Sequence, residues 1–504
     1  MKQSTGTRLL AIAIDAAEPK LVRRLIDEGE MPALGSLLRD GTWLRVKSPA
    51  YVGSGSVWPT FMSAKGPQAH GVYGEWLWDA DNMGLSRYHG NDLVPFWKSF
   101  VDSDVSVGLL DVPFMPMVGV TNGFEISEWG PHDLLEGRMQ VAPESMVATV
   151  AEYSPHPLET RVQITGPDNY DNLEKLGAVC LEGIQKRGAL AHTLLTETQP
   201  QIAIITFTEV HRSAHYLWHK VEPDHAVYLR SGIAKLETTH PSLIEIFREL
   251  DRQIGKLIAA TNSDTNVVVF SLHGMQPASG TPAFLAAWLC EKGFASMPGW
   301  RDQSWPERAT ATFGAIKRRM PSPLRTLYYK IMPPVVTHQL ARPTMLPFYD
   351  WSRTRAFSLP TDQHGWIRIN LAGREARGIV PTNSYDETCD ALQRELTSLR
   401  SDAGEPLVER VIRTADSVDT AMRQRLPDLI VHWSEAVFAS SLRIAGSNIQ
   451  PEMVGKKYVA QHSLEGFCIA PATLNGDEVQ AEEMHLLFSK LLKLNMEETP
   501  SDVR

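Results

Sequence analysis

The sequence predicts an α/β fold with a largely parallel central sheet and helices on both of its faces. Continuous apolar runs that end in acidic or other polar residues recur along the chain, and buried parallel strands have this composition. Stretches with helical spacing separate these runs, and such alternation is typical of a parallel sheet covered by helices. In a fold of this kind, ligands bind at the carboxyl edge of the sheet.

The predicted elements follow one another along the whole chain. A first strand runs from Arg8 to Asp15, and a helix over 19–29 follows it with Leu21, Leu25 and Ile26 on one face. Further strands are predicted at 105–112, 201–206, 266–271 and 366–371, and further helices at 172–197, 242–260 and 384–399.

The stretch 276–350 differs from the rest because it holds several prolines and an excess of basic residues. Residues 301–355 include ten Lys or Arg and three Asp or Glu. This composition indicates an insertion over the ligand edge of the sheet, either a cap that faces the substrate or a solvated surface excursion. We therefore expect a first part of the catalytic core over 1–275, an inserted cap over 276–350, and a second part of the core over 351–504.

Composition excludes several classes of protein. The 504 residues are 43% hydrophobic, which argues against a disordered chain, and a net charge of −10 argues against a coat for nucleic-acid polymers. The four cysteines form no CxxC pair, so neither a zinc knuckle nor a disulfide scaffold is encoded. The first apolar run is too short for a secretory signal, and no run reaches the length of a membrane span. We expect a cytoplasmic protein with no membrane partner, which could form a homo-oligomer.

Two histidines that follow a predicted strand are the first candidate site residues. His211 and His215 are four residues apart, so a helical turn would place both on one face at the ligand edge of the sheet. Two neutral imidazoles on one face can bind a metal such as zinc, although a hydrogen-bonded surface pair has the same spacing. His273 ends another predicted strand, and Gly274 after it would permit a sharp exit of the backbone.

Two loops add further polar candidates. The segment Gly53-Ser-Gly-Ser-Val-Trp-Pro-Thr60 offers the hydroxyls of Ser54 and Ser56 among small residues, which is weak evidence by itself. The segment 126–133 groups Glu128, Trp129 and His132, and it could line a substrate pocket or form a structural turn.

Taken together, these blocks resemble the alkaline phosphatase superfamily, in its branch of type I phosphodiesterases and nucleotide pyrophosphatases. The resemblance covers most of the chain and depends on the order of several blocks. These blocks are the strand that ends at Asp15, Met31-Pro-Ala-Leu34, Trp58 to Gly71 with its ending Pro-Gln-Ala-His-Gly, Glu209 to Trp218, Ser271-Leu-His-Gly274, and Gln461-His-Ser-Leu-Glu-Gly466.

The resemblance implies an alkaline-phosphatase-like fold and a metal-dependent hydrolase of phosphate esters. Family members hold two divalent ions, usually zinc, with manganese or iron as other possibilities. One ion would be bound by Asp15 and His273, and the other by His211, His215 and His462. Ser54, six residues before Thr60, would be the nucleophile that forms a covalent seryl intermediate, with Ser56 as the second choice. The resemblance implies a phosphodiester or nucleotide-like substrate, and two metals would neutralise the charge of such a small anionic ester.

Two positions depart from the family pattern. Leu272 stands where the family has an aspartate, and His211 stands where it has another. One carboxylate, Asp15, then faces two divalent ions, which leaves an excess of about three positive charges. Glu209 is the nearest further carboxylate, and it would either join the site or orient His211.

Three classes of function therefore stay open. The first is a hydrolase with altered metal occupancy, in which His211, His215 and His462 form a site that is complete without the second ion. The second is a phospho- or sulfotransferase, or a sulfatase, that uses the same framework. The third is a protein that binds metal or ligand without catalysis.

Overall fold

The structure is a computed structural model that describes residues 6–493 except 91–92, 131, 133–134, 159–172, 232–240, 300–301, 322–323, 325–330, 333–344, 361–362, 439–441, 455–457 and 475. The strands are β1 (Leu9–Ile14), β2 (Gly41–Lys47), β3 (Trp76–Asp79), β4 (Gly84–Arg87), β5 (Val107–Leu110), β6 (Gly123–Ser127), β7 (Gln140–Ala142), β8 (Ile202–Phe207), β9 (Asn266–Ser271), β10 (Met275–Pro277), β11 (Thr281–Ala283), β12 (Ala356–Leu359), β13 (Gly365–Ile369), β14 (Val408–Arg413), β15 (Leu429–Trp433), β16 (Glu452–Val454), β17 (Ala460–His462), β18 (Glu465–Pro471) and β19 (Glu478–Gln480).

Helices and short 3-10 turns connect these strands. The α-helices are α1 (Pro19–Asp27), α2 (Pro32–Asp40), α3 (Val57–Ser63), α4 (Pro67–His70), α5 (Trp97–Asp102), α6 (Val147–Tyr153), α7 (Leu173–Thr198), α8 (Glu209–Leu217), α9 (Ala226–Ser231), α10 (Leu243–Ala259), α11 (Leu285–Glu291), α12 (Trp305–Arg319), α13 (Tyr385–Thr397), α14 (Val418–Arg423) and α15 (Met484–Leu492).

A nine-stranded sheet forms the centre of the molecule, in the order β19-β2-β18-β9-β1-β8-β5-β6-β7. Its five middle strands, from β9 to β6, run parallel to one another. Every residue of β1 and β8 is buried, as expected for strands that are covered on both faces. The prediction of a largely parallel sheet surrounded by helices is confirmed.

The register of the sheet brings three strand ends together. Ile14 pairs with Phe207, and Ala13 pairs with Phe270. The residues that follow β1, β8 and β9 therefore emerge side by side at one carboxyl edge. This edge is where an open α/β sheet binds its ligand.

The molecule also contains a second sheet, which the sequence analysis did not predict. It has four antiparallel strands in the order β12-β13-β15-β14, of which only β13 corresponds to a predicted strand. The chain then returns to the central sheet through β18, which pairs antiparallel with both β2 and β9.

The start of the predicted cap is tied to the C-terminal region, since β10 pairs with β17 and β11 pairs with β16. Much of 276–350 lies outside the described residues, so the division of the chain into three parts stays a prediction. Among the helices that the structure describes, none has the length and apolar character needed to span a bilayer.

Candidate metal centre

Six side chains converge at the carboxyl edge of the central sheet, and we refer to them as the histidine cluster. Asp15 follows β1, His273 follows β9, and the helix α8 after β8 supplies two histidines from its first turns. The loop after β6 and the end of β17 supply the other two. The members are Asp15, His132, His211, His215, His273 and His462.

The carboxylate of Asp15 is surrounded by nitrogen atoms. Its Oδ2 lies 2.6 Å from His211 Nδ1 and 3.0 Å from His132 Nε2. Its Oδ1 accepts a hydrogen bond of 3.0 Å from Trp58 Nε1 and lies 4.0 Å from His273 Nδ1. Asp15 therefore links the helices and loops of the cluster.

The other half of the cluster contains three histidines. Nε2 of His211 and Nε2 of His215 are 3.0 Å apart, and the ring of His462 is centred 4.7 and 4.9 Å from theirs. The Nδ1 of His215 donates to the carbonyl of Ala460 at 2.8 Å. One candidate ligand atom from each of these three histidines lies within 4.8 Å of the others, and the same holds for Asp15, His132 and His211.

Burial keeps these rings neutral. It lowers the pKa of His215 to about 4, and it lowers the pKa values of His211 and His462 well below the usual value for histidine. Burial by itself would raise the pKa of Asp15, but electrostatic attraction and hydrogen bonds from the neighbouring His211 and His132 hold it well below its ordinary range. Neutral imidazoles beside an ionised carboxylate are the protonation states that metal binding requires.

The segment that carries Ser54 lies against this cluster. Ser54 is half-buried and begins a 3-10 turn that leads into α3, and Trp58 in the first turn of α3 contacts Asp15. Ser56 is fully buried, and its hydroxyl lies 2.9 and 2.8 Å from the carbonyls of Pro49 and Gly53. The hydroxyl of Ser56 therefore holds the loop together.

Three side chains, two from the second sheet and one from the bend just before β13, hold the backbone just before Ser54. His364 Nε2 donates to the carbonyl of Ala50 at 2.9 Å, and His432 Nε2 donates to that of Tyr51 at 2.8 Å. Trp366 Nε1 donates to the next carbonyl, that of Val52, at 2.7 Å. We call His364, Trp366 and His432 the loop clamp.

Close packing explains the two glycines beside Ser54. A Cβ atom on Gly53 would lie 2.5 Å from the ring of Trp366, and one on Gly55 would lie 2.5 Å from the Cα of Gly74. Close packing also explains the glycine at position 274, since a Cβ atom there would lie 2.2 Å from Glu18 Oε2. The expectation that Gly274 serves a sharp backbone exit is thus replaced by one of close approach.

Comparison with known proteins places this geometry in a family. Residues 9–446 match the model of the type I phosphodiesterase / nucleotide pyrophosphatase family. The chain belongs to this family. Among curated proteins, none is significantly similar to it in sequence.

Solved structures show that the fold is shared at low identity. The phosphonoacetate hydrolase of Sinorhizobium meliloti is 15% identical, with 97% of this chain and 96% of that one covered and a TM-score of 0.51. The murine ectonucleotide pyrophosphatase / phosphodiesterase 5 is 10% identical, with 98% of each chain covered and a TM-score of 0.50. This type I phosphodiesterase family member is a phosphoester hydrolase with an alkaline-phosphatase-like fold.

Members of the type I phosphodiesterase family use divalent metals, and the histidine cluster fits such an ion. The donors are mostly imidazole nitrogens, which suit zinc and similar transition metals. His462 Nδ1 is buried without a hydrogen-bond partner among the described residues, so this group has an unmet polar requirement inside the cluster. Leu272 is fully packed in the hydrophobic core.

The two remaining carboxylates of interest have other partners. Glu209 Oε1 lies 2.8 Å from Arg187 Nε and 2.9 Å from His156 Nε2, within a buried ion pair network. Burial would raise the pKa of Glu209, but the charge of Arg187 outweighs this and lowers it to about 2. These hydrogen bonds run to Arg187 and His156 rather than to His211.

Glu128 organises the loop that carries His132. Its carboxylate accepts backbone N–H groups of Leu135, Glu136 and Arg138 at 2.6, 2.7 and 2.8 Å. The sequence grouped Glu128 and His132 correctly in one loop. The sequence did not indicate that His132 contacts the carboxylate of Asp15, or that His432 and Trp366 hold the loop before Ser54.

Proposed function

We propose that this phosphoester hydrolase cleaves small anionic phosphodiesters, including nucleotide-like ones, through a covalent intermediate on Ser54 and with zinc in the histidine cluster. The observation that carries the proposal is the contact between Trp58 and Asp15, which joins the helix after Ser54 to the cluster. When bound there, a divalent ion supplies positive charge that neutralises phosphoryl oxygens and favours ionisation of a nearby hydroxyl.

The proposed reaction has two displacements at phosphorus. In the first, the Ser54 oxygen forms a bond to phosphorus, the bond to the leaving alkoxy oxygen breaks, and the hydroxyl proton passes through solvent to the released alcohol. In the second, a water oxygen attacks phosphorus and the seryl oxygen leaves, which restores the Ser54 hydroxyl and releases a phosphomonoester. The loop clamp would keep the Ser54 oxygen in one position throughout, so that both displacements start from an aligned geometry.

A cavity next to the cluster has room for a small organic ester. It has a volume of about 290 Å³ and is lined by His462 from the cluster and by two residues of the loop clamp, His364 and His432. Lys20 and Trp433 also line it, together with three carboxylates, Glu18, Glu409 and Glu465. The aromatic ring suits the organic group of the ester. Because the carboxylates outnumber the ammonium group, a metal ion bound in the cluster would have to supply the positive charge that attracts the phosphate.

The decisive experiment compares Ser54→Ala with the wild-type enzyme and with Ser398→Ala, which removes an exposed hydroxyl on a different helix end. Bis(4-nitrophenyl) phosphate is the probe for turnover, and acid-quenched protein is examined by intact mass for a covalent phosphoryl adduct. Ser54→Ala should lose both the adduct and about a thousandfold or more of turnover, because water alone then has to attack. Ser398→Ala should keep both.

Other outcomes of the same experiment identify the alternatives. Turnover that survives in Ser54→Ala and disappears in Ser56→Ala would overturn the assignment of the nucleophile. Adding alcohols tests the transferase class, since an acceptor that captures the intermediate shifts the products from phosphomonoester to a new diester. Aryl sulfates and phosphonates in the same assay test the ester class.

A further inference from the structure

Two histidines of the cluster, His211 and His215, each have their Nδ1 atom bound to a neighbouring hydrogen-bond acceptor. The carbonyl of Ala460 can only accept a hydrogen bond, so Nδ1 of His215 carries the hydrogen. The carboxylate of Asp15 lies 2.6 Å from Nδ1 of His211 and accepts a hydrogen bond from it. Each ring therefore has its Nδ1 held by an acceptor and turns its Nε2 toward the other ring.

The Nε2 atoms of the two rings face each other. They are 3.0 Å apart, with His211 buried and His215 half-buried. Two ring nitrogens this close can bind the same metal ion. His462, with its candidate ligand atom within 4.8 Å of the other two, completes a three-nitrogen set.

Asp15 has a different role in this arrangement. Its oxygens face three nitrogen atoms, from Trp58, His132 and His211, at 3.0, 3.0 and 2.6 Å. A carboxylate that accepts from the outer nitrogen of a metal-bound histidine fixes the orientation of the ring and increases its basicity. Leu272, an apolar side chain in the core, offers no oxygen for a second ion. The other candidate set, Asp15, His132 and His211, shares His211 with the first set and keeps only two donors when His211 Nδ1 donates its hydrogen to Asp15.

We propose that this chain holds one divalent ion, coordinated by His211, His215 and His462, and that Asp15 orients His211 by accepting its Nδ1 hydrogen. This replaces the expectation of two ions with Asp15 as a ligand. The inference rests on the proposed function only for the reaction, because the number and affinity of the ions can be measured without turnover.

The ion count follows from elemental analysis of the full-length protein, after chelator treatment, reconstitution with zinc and desalting. The wild-type protein should hold about one zinc per chain. His215→Ala and His462→Ala should each hold close to none, because two nitrogens bind zinc poorly. His192→Ala, on the exposed face of α7, is the matched control and should retain the wild-type value.

Asp15→Asn and His273→Ala separate the one-ion and two-ion arrangements. Both variants should still bind about one zinc, and competition with a chromophoric chelator should show that Asp15→Asn binds about 10- to 100-fold more weakly. Two zinc ions per wild-type chain would overturn the inference, as would a wild-type protein that binds none. Loss of the ion from Asp15→Asn as complete as from His215→Ala, with the circular dichroism of the folded protein retained, would make Asp15 a ligand and refute its orienting role.

Discussion

The loop clamp makes the position of Ser54 depend on the second sheet, and Trp366→Phe tests this dependence with the smallest change. The substitution keeps an aromatic ring but removes the N–H that donates to the carbonyl of Val52 at 2.7 Å. Both residues are buried, so water cannot easily replace the lost donor. A buried acceptor without a partner costs about 1–3 kcal/mol.

The magnitude of the effect depends on which state bears this cost. If the loop of the variant relaxes in the free enzyme and has to return to the clamped position in the transition state, the whole cost enters the activation barrier. At 1.4 kcal/mol for each factor of ten, kcat/KM should fall by about 5- to 150-fold. The assay is steady-state hydrolysis of bis(4-nitrophenyl) phosphate, with Tm measured in parallel.

Trp288→Phe is the matched control for this change. Trp288 is fully buried on α11, and its Nε1 has no hydrogen-bond partner in the part of the chain that the structure describes. The control therefore loses ring volume without losing a hydrogen bond, and its kcat/KM should stay within about twofold of wild type. If Trp366→Phe matches the control in kcat/KM while its Tm falls, the clamp only stabilises the fold and the reasoning is refuted.

Two further predictions concern the metal centre and the pH dependence of stability. Leu272→Asp places a carboxylate beside His273, so elemental analysis should show the zinc content rising from about one to about two ions per chain. A folded variant that stays at one ion would show that the missing carboxylate does not limit metal occupancy. Burial, followed by the charges of His364 and Arg410, lowers the pKa of His432 from 6.5 to about 3. Between these pH values the unfolded chain binds more protons at this residue than the folded chain does. The free energy of unfolding should therefore fall as the pH decreases from about 6.5 towards 3. Urea unfolding at several pH values should show a shallower fall for His432→Gln, and equal slopes would contradict the assignment.

The central fold was predictable because its signals are local. Apolar runs such as Leu9–Ile14 need both faces covered, and polar residues at their ends must then meet at one edge. This reasoning brought Asp15, His211 and His273 together from sequence alone. The family resemblance added His462, which the sequence by itself does not distinguish from the other fifteen histidines.

The loop clamp and the second sheet depend on contacts that no local pattern encodes. His364 and Ala50 are 314 residues apart, and His432 and Tyr51 are 381 residues apart. The role of Asp15 was hidden for a related reason, since a sequence motif gives the residue type but not which of its neighbours donates a hydrogen. The hydrogen bond from His211 becomes evident only when the two side chains are placed at 2.6 Å.

The span of the clamp has a consequence for the protein during its synthesis. Ser54 leaves the ribosome early, but the donors that fix its loop are residues 364, 366 and 432, and His462 follows still later. The nascent chain should therefore carry a serine that is chemically idle until residues 364–462 have been made. A variant truncated before residue 364 should contain Ser54 and still hydrolyse no phosphodiester.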